Sequence, residues 1–192
     1  MTRKLTDRSI RALKTKKKLF QSASKLIEKY GYDNVTIEEI CRKADVSVGA
    51  FYHYYKSKSD IIVEFFKQID YYYEEKVQPE LTNDADENIN TFFRHYAQFH
   101  IEKGFEHTSM IVRIQTDFFL DKTRYMHILL IDLVKAAKKE GVFKKDADID
   151  TIAAFLLVIA RGLLFDWCLE RGKYDFTSKM NAYIQIAKRA FQ

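Results

Sequence analysis

Residues 36–58 read T-I-E-E-I-C-R-K-A-D-V-S-V-G-A-F-Y-H-Y-Y-K-S-K, and polar side chains recur there where a helix start would expose them. Ser47, Val48, Gly49, Ala50, Tyr52 and His53 offer hydroxyls, an imidazole, a branched apolar side chain and a bare stretch of backbone. These groups suit hydrogen bonding to phosphate oxygens and contact with base edges in a DNA groove. Val48 can meet a thymine methyl, and Gly49, lacking a side chain, lets backbone approach the groove closely. Thr36 stands at a second helix start, where unpaired backbone N–H groups favour an anion. No Arg, Asn or Gln belongs to the set, so few bidentate base contacts are available. Recognition then leans on DNA shape and on symmetry between two copies.

Two short helices must position these groups. Thr36 and Glu39 form a T-x-x-E capping box, which predicts a helix start. Ile37, Ile40 and Cys41 share one face of that helix at helical spacing. Asp45 stands at the turn, and Asp tolerates the left-handed conformation better than most residues. Ser47 caps the second helix, on which Phe51 points away from the polar face into a core. Two helices joined by a turn of this length make a helix-turn-helix. A longer helix precedes them: Leu19, Phe20, Ala23, Leu26, Ile27 and Tyr30 form one apolar stripe, and Gly31 ends it.

With the preceding K-x-L-F-x-x-A-x-x-L-I-x-x-x-G-Y pattern, this stretch resembles the TetR family of bacterial transcriptional regulators over residues 17–62. One departure is Asp45, where the family often has Gly. The resemblance implies that Tyr52, His53 and Tyr54 hold the DNA backbone and that Thr36 and Lys58 contact phosphates. Read from the residues alone, Tyr54 and Tyr55 fit core packing equally well, and His53 fits a solvated surface.

The charge distribution agrees with DNA as a partner. Residues 1–58 carry 14 Lys/Arg against 6 Asp/Glu, a net +8, and the rest carries 18 against 21, a net −3. The basic excess therefore coincides with the helix-turn-helix, as phosphate neutralisation requires. Residues 1–14 are a basic lead, either an arm that reaches a neighbouring minor groove, a tail without fixed contacts, or an extension of the first helix back toward Ser9. Pro79 is the only proline and there are six glycines, a composition that favours helix. The charged N-terminus has no signal-peptide pattern and no run of about 20 apolar residues is evident, so the expectation is a cytoplasmic protein without a membrane span.

Downstream of residue 58, helical spacing predicts a fourth helix over about 58–77 ended by Pro79, then further helices over about 87–103, 106–119, 121–140, 148–170 and 176–191. Aromatic residues crowd the fifth to seventh helices, with polar groups interleaved. Phe92, His95, Tyr96, Phe99, Arg113, Asp117 and Phe118 are the candidate lining of a pocket for a small hydrophobic or aromatic effector, which the resemblance implies. His100 and Gln115 belong to the same polar set, although aromatic stripes of this kind also fit plain core. The run A-A-F-L-L-V-I-A in the eighth helix is apolar in every direction, which calls for burial on all sides. Phe155, Ile159, Leu163, Trp167, Tyr183 and Ile184 on the last two helices are the candidate interface of a homodimer built as a four-helix contact. A fully buried helix in a monomer is the alternative.

No metal site is expected. His95 and His100 lie about 140° apart around a helix, and no H-E-x-x-H or C-x-x-C occurs. No cofactor is implied, and no glycine-rich phosphate loop or nucleophile motif suggests an enzyme. The expectation is an all-α chain of about nine helices: a three-helix helix-turn-helix domain over residues 1–58 and a helical effector-binding and dimerisation domain over 59–192. Its function would be that of a ligand-responsive repressor on a palindromic double-stranded operator. The alternative is a DNA-binding regulator with no small-molecule effector, gated by a protein partner.

Overall fold

The computed structural model of the chain describes residues 7–113 and 121–192. Among the described residues the regular structure is helical throughout: α1 (Asp7–Tyr30), α2 (Ile37–Ala44), α3 (Val48–Tyr54), α4 (Asp60–Tyr72), α5 (Ala85–Lys103), α6 (Phe105–Arg113), α7 (Tyr125–Lys139), α8 (Ile149–Leu169) and α9 (Phe176–Arg189). The chain divides into two compact units, Met1–Phe65 and Phe66–Gln192. The division falls inside α4 rather than before it. The charge shift marks where the basic residues stop, whereas packing decides the unit: Ile61 is buried and Glu64 is paired with Lys16 of α1.

In the first unit α1 packs on α2, and α2 on α3. The core is Leu19, Ala23, Ile27, Val35, Ile40 and Phe51, each at most 1% exposed. Because α1 begins at Asp7, residues 7–14 of the basic lead are helical, while residues 1–6 lie outside the described residues.

In the second unit α5 packs against α6, α7 and α9, and α8 packs against α6, α7 and α9. The segment predicted as one helix to residue 77 loosens after Tyr72 into a π-helical turn, Tyr73–Val77, and a 3-10 turn, Gln78–Glu80. Pro79 has no N–H to continue an α-helix, and the Gln78 N–H reaches back to the Tyr73 carbonyl, one residue further than in an α-helix. The Tyr73 ring is fully buried and its hydroxyl donates to the Phe92 carbonyl at 2.9 Å.

Two helix starts differ from those predicted. α5 begins earlier because the Asp84 carboxylate accepts from the Glu87 N–H. α7 begins at Tyr125 instead of near residue 121. Asp121 turns the chain by accepting from the Thr123 N–H and hydroxyl, and Arg124 is drawn aside to α4. The Arg124 guanidinium donates to both Asp70 carboxylate oxygens, at 3.0 and 3.2 Å, and to the Phe66 carbonyl at 3.1 Å. The Met126 N–H adds a further bond to Asp70. A two-pronged, charge-assisted contact of this kind is the strong type, and it fixes the C-terminal half of α4 to the start of α7.

α8 is apolar all round, yet one face is bare. Phe155, Val158, Phe165 and Leu169 are 38%, 60%, 52% and 66% exposed. They fall at i, i+3, i+10 and i+14, a single helical stripe. By length and composition α8 could also cross a bilayer, against the expectation that no such segment exists. Its packing against four helices of the same unit, α5, α6, α7 and α9, accounts for the apolar character of its covered side.

His100 and His107 are both buried, and burial pushes each imidazole down to about 3. Both are neutral in the folded protein, whereas the unfolded chain takes up protons below about pH 6.5. Stability is therefore present above the unfolded value and is lost as pH falls from 6.5 toward 3. At pH 5 the two sites should each cost about 2 kcal/mol. Urea unfolding at pH 7 and pH 5 checks this, and a midpoint that does not fall at pH 5 would contradict it.

Candidate nucleic-acid interface and effector cavity

The helix-turn-helix is built from local caps. The Thr36 hydroxyl accepts from the Glu39 N–H at 3.2 Å, and the Glu39 carboxylate accepts from the Thr36 N–H at 2.8 Å. The box satisfies two of the donors that a helix start leaves open. At the other end of α2, Asp45 adopts φ 53°, ψ 54°, the left-handed conformation. Ser47 caps α3 by accepting from the Ala50 N–H at 3.1 Å. Phe51 is completely buried and sets the rotation of α3.

That rotation leaves Val48 37% and Tyr52 55% exposed, with Ser47, Gly49 and His53 exposed beside them. A Cβ built on Gly49 would meet only the Ser47 hydroxyl, at 3.9 Å, so the glycine serves no internal packing need. Space is left there for a groove wall. The first turn of α3 therefore presents a hydroxyl, small apolar groups, a phenol and an imidazole on one face.

Two of the sequence candidates have additional partners. Tyr54 is half-buried, with its ring edge-on to His53, and can reach outward only in part. The Lys58 ammonium donates to the Tyr32 and Val35 carbonyls at 2.7 and 2.8 Å and lies 4.1 Å from the Tyr32 ring centre. Partial burial pushes the Lys58 amine below its ordinary value. Lys58 thus clasps the α1–α2 loop, and one of its three N–H donors remains for a phosphate. Tyr55 is core: it is 3% exposed and its hydroxyl donates to the Lys16 carbonyl.

A non-glycine residue in the left-handed region carries about 1 kcal/mol of strain. The Asp45 carboxylate is 95% exposed, with only a long contact to Lys18 at 3.7 Å. Asp45→Gly should therefore raise stability by about 0.5–1 kcal/mol in thermal or urea unfolding. It also removes a negative charge from the turn before α3, so DNA affinity at low salt should rise severalfold.

This arrangement, short α2, turn and α3 with an exposed face opposite Phe51, matches the description of bacterial regulatory proteins of the tetR family over residues 19–65. The chain is also 22% identical over 203 residues to a probable acrEF/envCD operon repressor of Escherichia coli strain K12, covering 94% of this chain and 88% of that one. In its helix-turn-helix segment the chain is similar to the TetR family of bacterial regulatory proteins. A second relative, the Tn10 TetC protein of Escherichia coli, is 37% identical over 94 residues, and the match spans only about half of each protein, 47% of this chain and 46% of TetC. Among solved structures, FadR from Bacillus subtilis in complex with stearoyl-CoA has the same fold, with a TM-score of 0.68 at 19% identity, covering 92% of this chain and 99% of that one.

The second unit holds a small cavity of about 20 Å³. Phe66 and Ile69 of α4, Ile111 of α6 and Met126 of α7 give it apolar walls, and Tyr96, His100, Arg124 and Arg161 give it polar ones. Of the pocket candidates read from sequence, Tyr96 lines this cavity. His95 lines an open surface groove of about 530 Å³ with Tyr72, Lys76 and Glu80. There its ring bridges the Tyr72 hydroxyl and the Glu80 carboxylate, each at 2.9 Å. Phe99 borders a neighbouring groove, and Phe92 is core, stacked at a tilt on Tyr73. Arg113 ends α6, while Gln115, Asp117 and Phe118 lie outside the described residues. Arg124 and Arg161 were not among the sequence candidates. Arg161 carried a signal, as the only charge in the long apolar middle of α8. Arg124 carried none.

The interface candidates also sort differently. Phe155 and Tyr183 are exposed and Ile159 is half-buried. Leu163 and Trp167 are 5% exposed and Ile184 is 1% exposed, because their side of each helix faces the protomer's own core. Trp167, for example, stacks on Phe176 of α9. The bare apolar face instead adds Val158, Phe165, Leu169 and Ile186 to Phe155 and Tyr183.

Proposed function

We propose that the protein is a transcriptional repressor that binds a palindromic operator as a homodimer and lets go when a small molecule occupies its second unit. The observation that carries this reading is the exposed Ser47–His53 face of α3, held in place by the fully buried Phe51, in the segment with net charge +8. Each α3 would enter one of two major-groove faces spaced about 34–36 Å apart. Tyr52, His53 and Thr36 would contact phosphates, with the remaining donor of Lys58 supporting them.

The homodimer reading rests on the exposed apolar stripe of α8 and its neighbour on α9. A stripe of this kind on a soluble chain is uncommon without a partner. Two copies related by a two-fold axis would cover it with a four-helix contact. The effector reading draws on the second unit: helices α4 to α8 enclose a cavity with apolar walls and a few converging polar groups, the usual make-up of a ligand site. A related operon repressor and a FadR structure with bound stearoyl-CoA support the same assignment. α4 contributes Ile61 to the first unit's core and Phe66, Ile69 and Asp70 to the second. A change in the hold on Asp70 is therefore felt on a helix that both units share.

A gel-shift titration with the DNA upstream of the protein's own gene tests the reading. Binding should be strong at low salt and should weaken steeply as salt rises. Absence of a shift at low salt would refute it. Operator binding that no small molecule releases would instead favour a regulator gated by a protein partner.

A further inference from the structure

Resting on the effector reading above, we infer that the effector is an organic monocarboxylate with a compact apolar body, whose carboxylate is held by Arg161 and Tyr96. Two guanidinium groups, of Arg124 and Arg161, line the cavity, and Asp70 beside it pairs with one of them. Arg124 is matched by Asp70, through both oxygens, whereas Arg161 has no ion-pair or hydrogen-bond partner among the described residues. The Tyr96 ring is 4% exposed, and its hydroxyl likewise has no hydrogen-bond partner among the described residues. Tyr96 is buried and Arg161 is half-buried, and a cation and a hydroxyl donor beside apolar walls gain from a bound anion. Here one cation and one hydroxyl donor line the same enclosed space. The other polar wall, His100, is neutral, so it does not supply the missing negative charge.

The body of the ligand follows from the remaining walls. Phe66, Ile69, Ile111 and Met126 offer no hydrogen bonds from their side chains, so the rest of the ligand must be apolar. The space of about 20 Å³ holds one water, and a ligand must widen it. Met126 can yield, since its unbranched side chain has three rotatable bonds. A carboxylate seated on Arg161 also lies in the same cavity as Arg124. It would compete with Asp70 and with the Phe66 carbonyl for that guanidinium, loosening the hold of α7 on α4. Ligand charge, and not ligand size alone, would then drive release.

The test uses the full-length protein and three probes, benzoate, phenylacetate and hexanoate, each paired with its uncharged primary amide. Calorimetric titration and thermal shift read binding, and a parallel gel shift reads operator binding. At least one carboxylate should raise the melting temperature and bind measurably while its amide does not. Arg161→Met should weaken that carboxylate by at least about tenfold, as loss of a charge-assisted contact predicts. Tyr96→Phe, which removes only the hydroxyl, should weaken it severalfold and keeps the test open if Arg161→Met fails to fold. The proposal is overturned if none of the carboxylates binds, if an amide binds as well as its acid, or if both variants keep wild-type affinity. Operator binding by the wild type that a neutral compound releases would overturn the carboxylate while leaving the effector reading intact. A wild type that never shifts its operator would overturn the function itself.

Discussion

Phe165→Glu is expected to turn the protein into a monomer and to lower operator affinity by about a hundredfold or more. Phe165 sits near the middle of the bare α8 stripe and is 52% exposed in the protomer, so the substitution leaves the protomer's own core untouched. In a two-fold contact a glutamate would meet the same apolar surface in both copies, and a charge buried without a partner costs several kcal/mol. Loss of the dimer removes the second α3 from the operator. Joined binding modules gain about 10²- to 10⁴-fold over separate ones, and that gain is what disappears. Analytical ultracentrifugation reads the mass and a gel shift reads the affinity, with circular dichroism to verify unchanged helicity. Tyr71→Glu is the control: Tyr71 is 63% exposed on α4, away from the stripe, and that variant should remain dimeric. A Phe165→Glu protein that stays dimeric and binds its operator normally would show that this face is not the interface.

Tyr52→Ala should have the second largest effect, a loss of about thirtyfold in operator affinity with the fold intact. A hydrogen bond contributes about 1 kcal/mol net, and one substitution acts in both copies of a dimer, giving about 2 kcal/mol. Tyr52 is 55% exposed and touches the core only through an edge-on contact with Phe51, so thermal stability should hardly change. Tyr52→Phe separates the hydroxyl from the ring and should reproduce most of the loss if the phenol hydrogen-bonds a phosphate. Phe51→Ala, one residue away, should do the opposite: it empties a fully buried site and should cost about 3–5 kcal/mol, unfolding the first unit before any effect on DNA can be read. A Tyr52→Ala variant that loses helicity would instead place Tyr52 in the core.

The parts of this chain that could be read without coordinates are those whose partners lie within a few residues. The Thr36–Glu39 box, the Ser47 cap and the left-handed turn at Asp45 each involve atoms two to five positions apart, so residue types at fixed spacing specify them. The buried Leu19, Phe20, Ala23 and Ile27 of α1 and the buried Phe51 follow from the helical period in the same way, whereas Tyr30, at the end of the predicted stripe, is 50% exposed. Those local signals were enough to fix the helix-turn-helix: where its helices start, which face of α3 is exposed, and that the basic charge lies with it.

The second unit was legible only as a series of helices. A helix that is apolar in every direction does not say which side its own protomer will cover. Leu163, Trp167 and Ile184 therefore looked as eligible for a partner as Phe155 and Tyr183, until the packing of α8 and α9 on each other and on the rest of the unit assigned them to the core. Lys58 looked like a free cation because the Tyr32 and Val35 carbonyls that hold it are 26 and 23 positions away. Arg124 carried no signal at all, since its partners Asp70 and Phe66 are 54 and 58 positions distant. The sequence by itself determined most of the helices, the caps of α2 and α3 and the helix-turn-helix motif, because each depends on backbone periodicity and contacts within one or two turns. Only the tertiary structure decided which apolar face is left bare, which cations are already paired, and that Arg161 is left facing a cavity beside Tyr96. Those outcomes depend on which distant surfaces meet, and a one-dimensional pattern does not encode that choice locally.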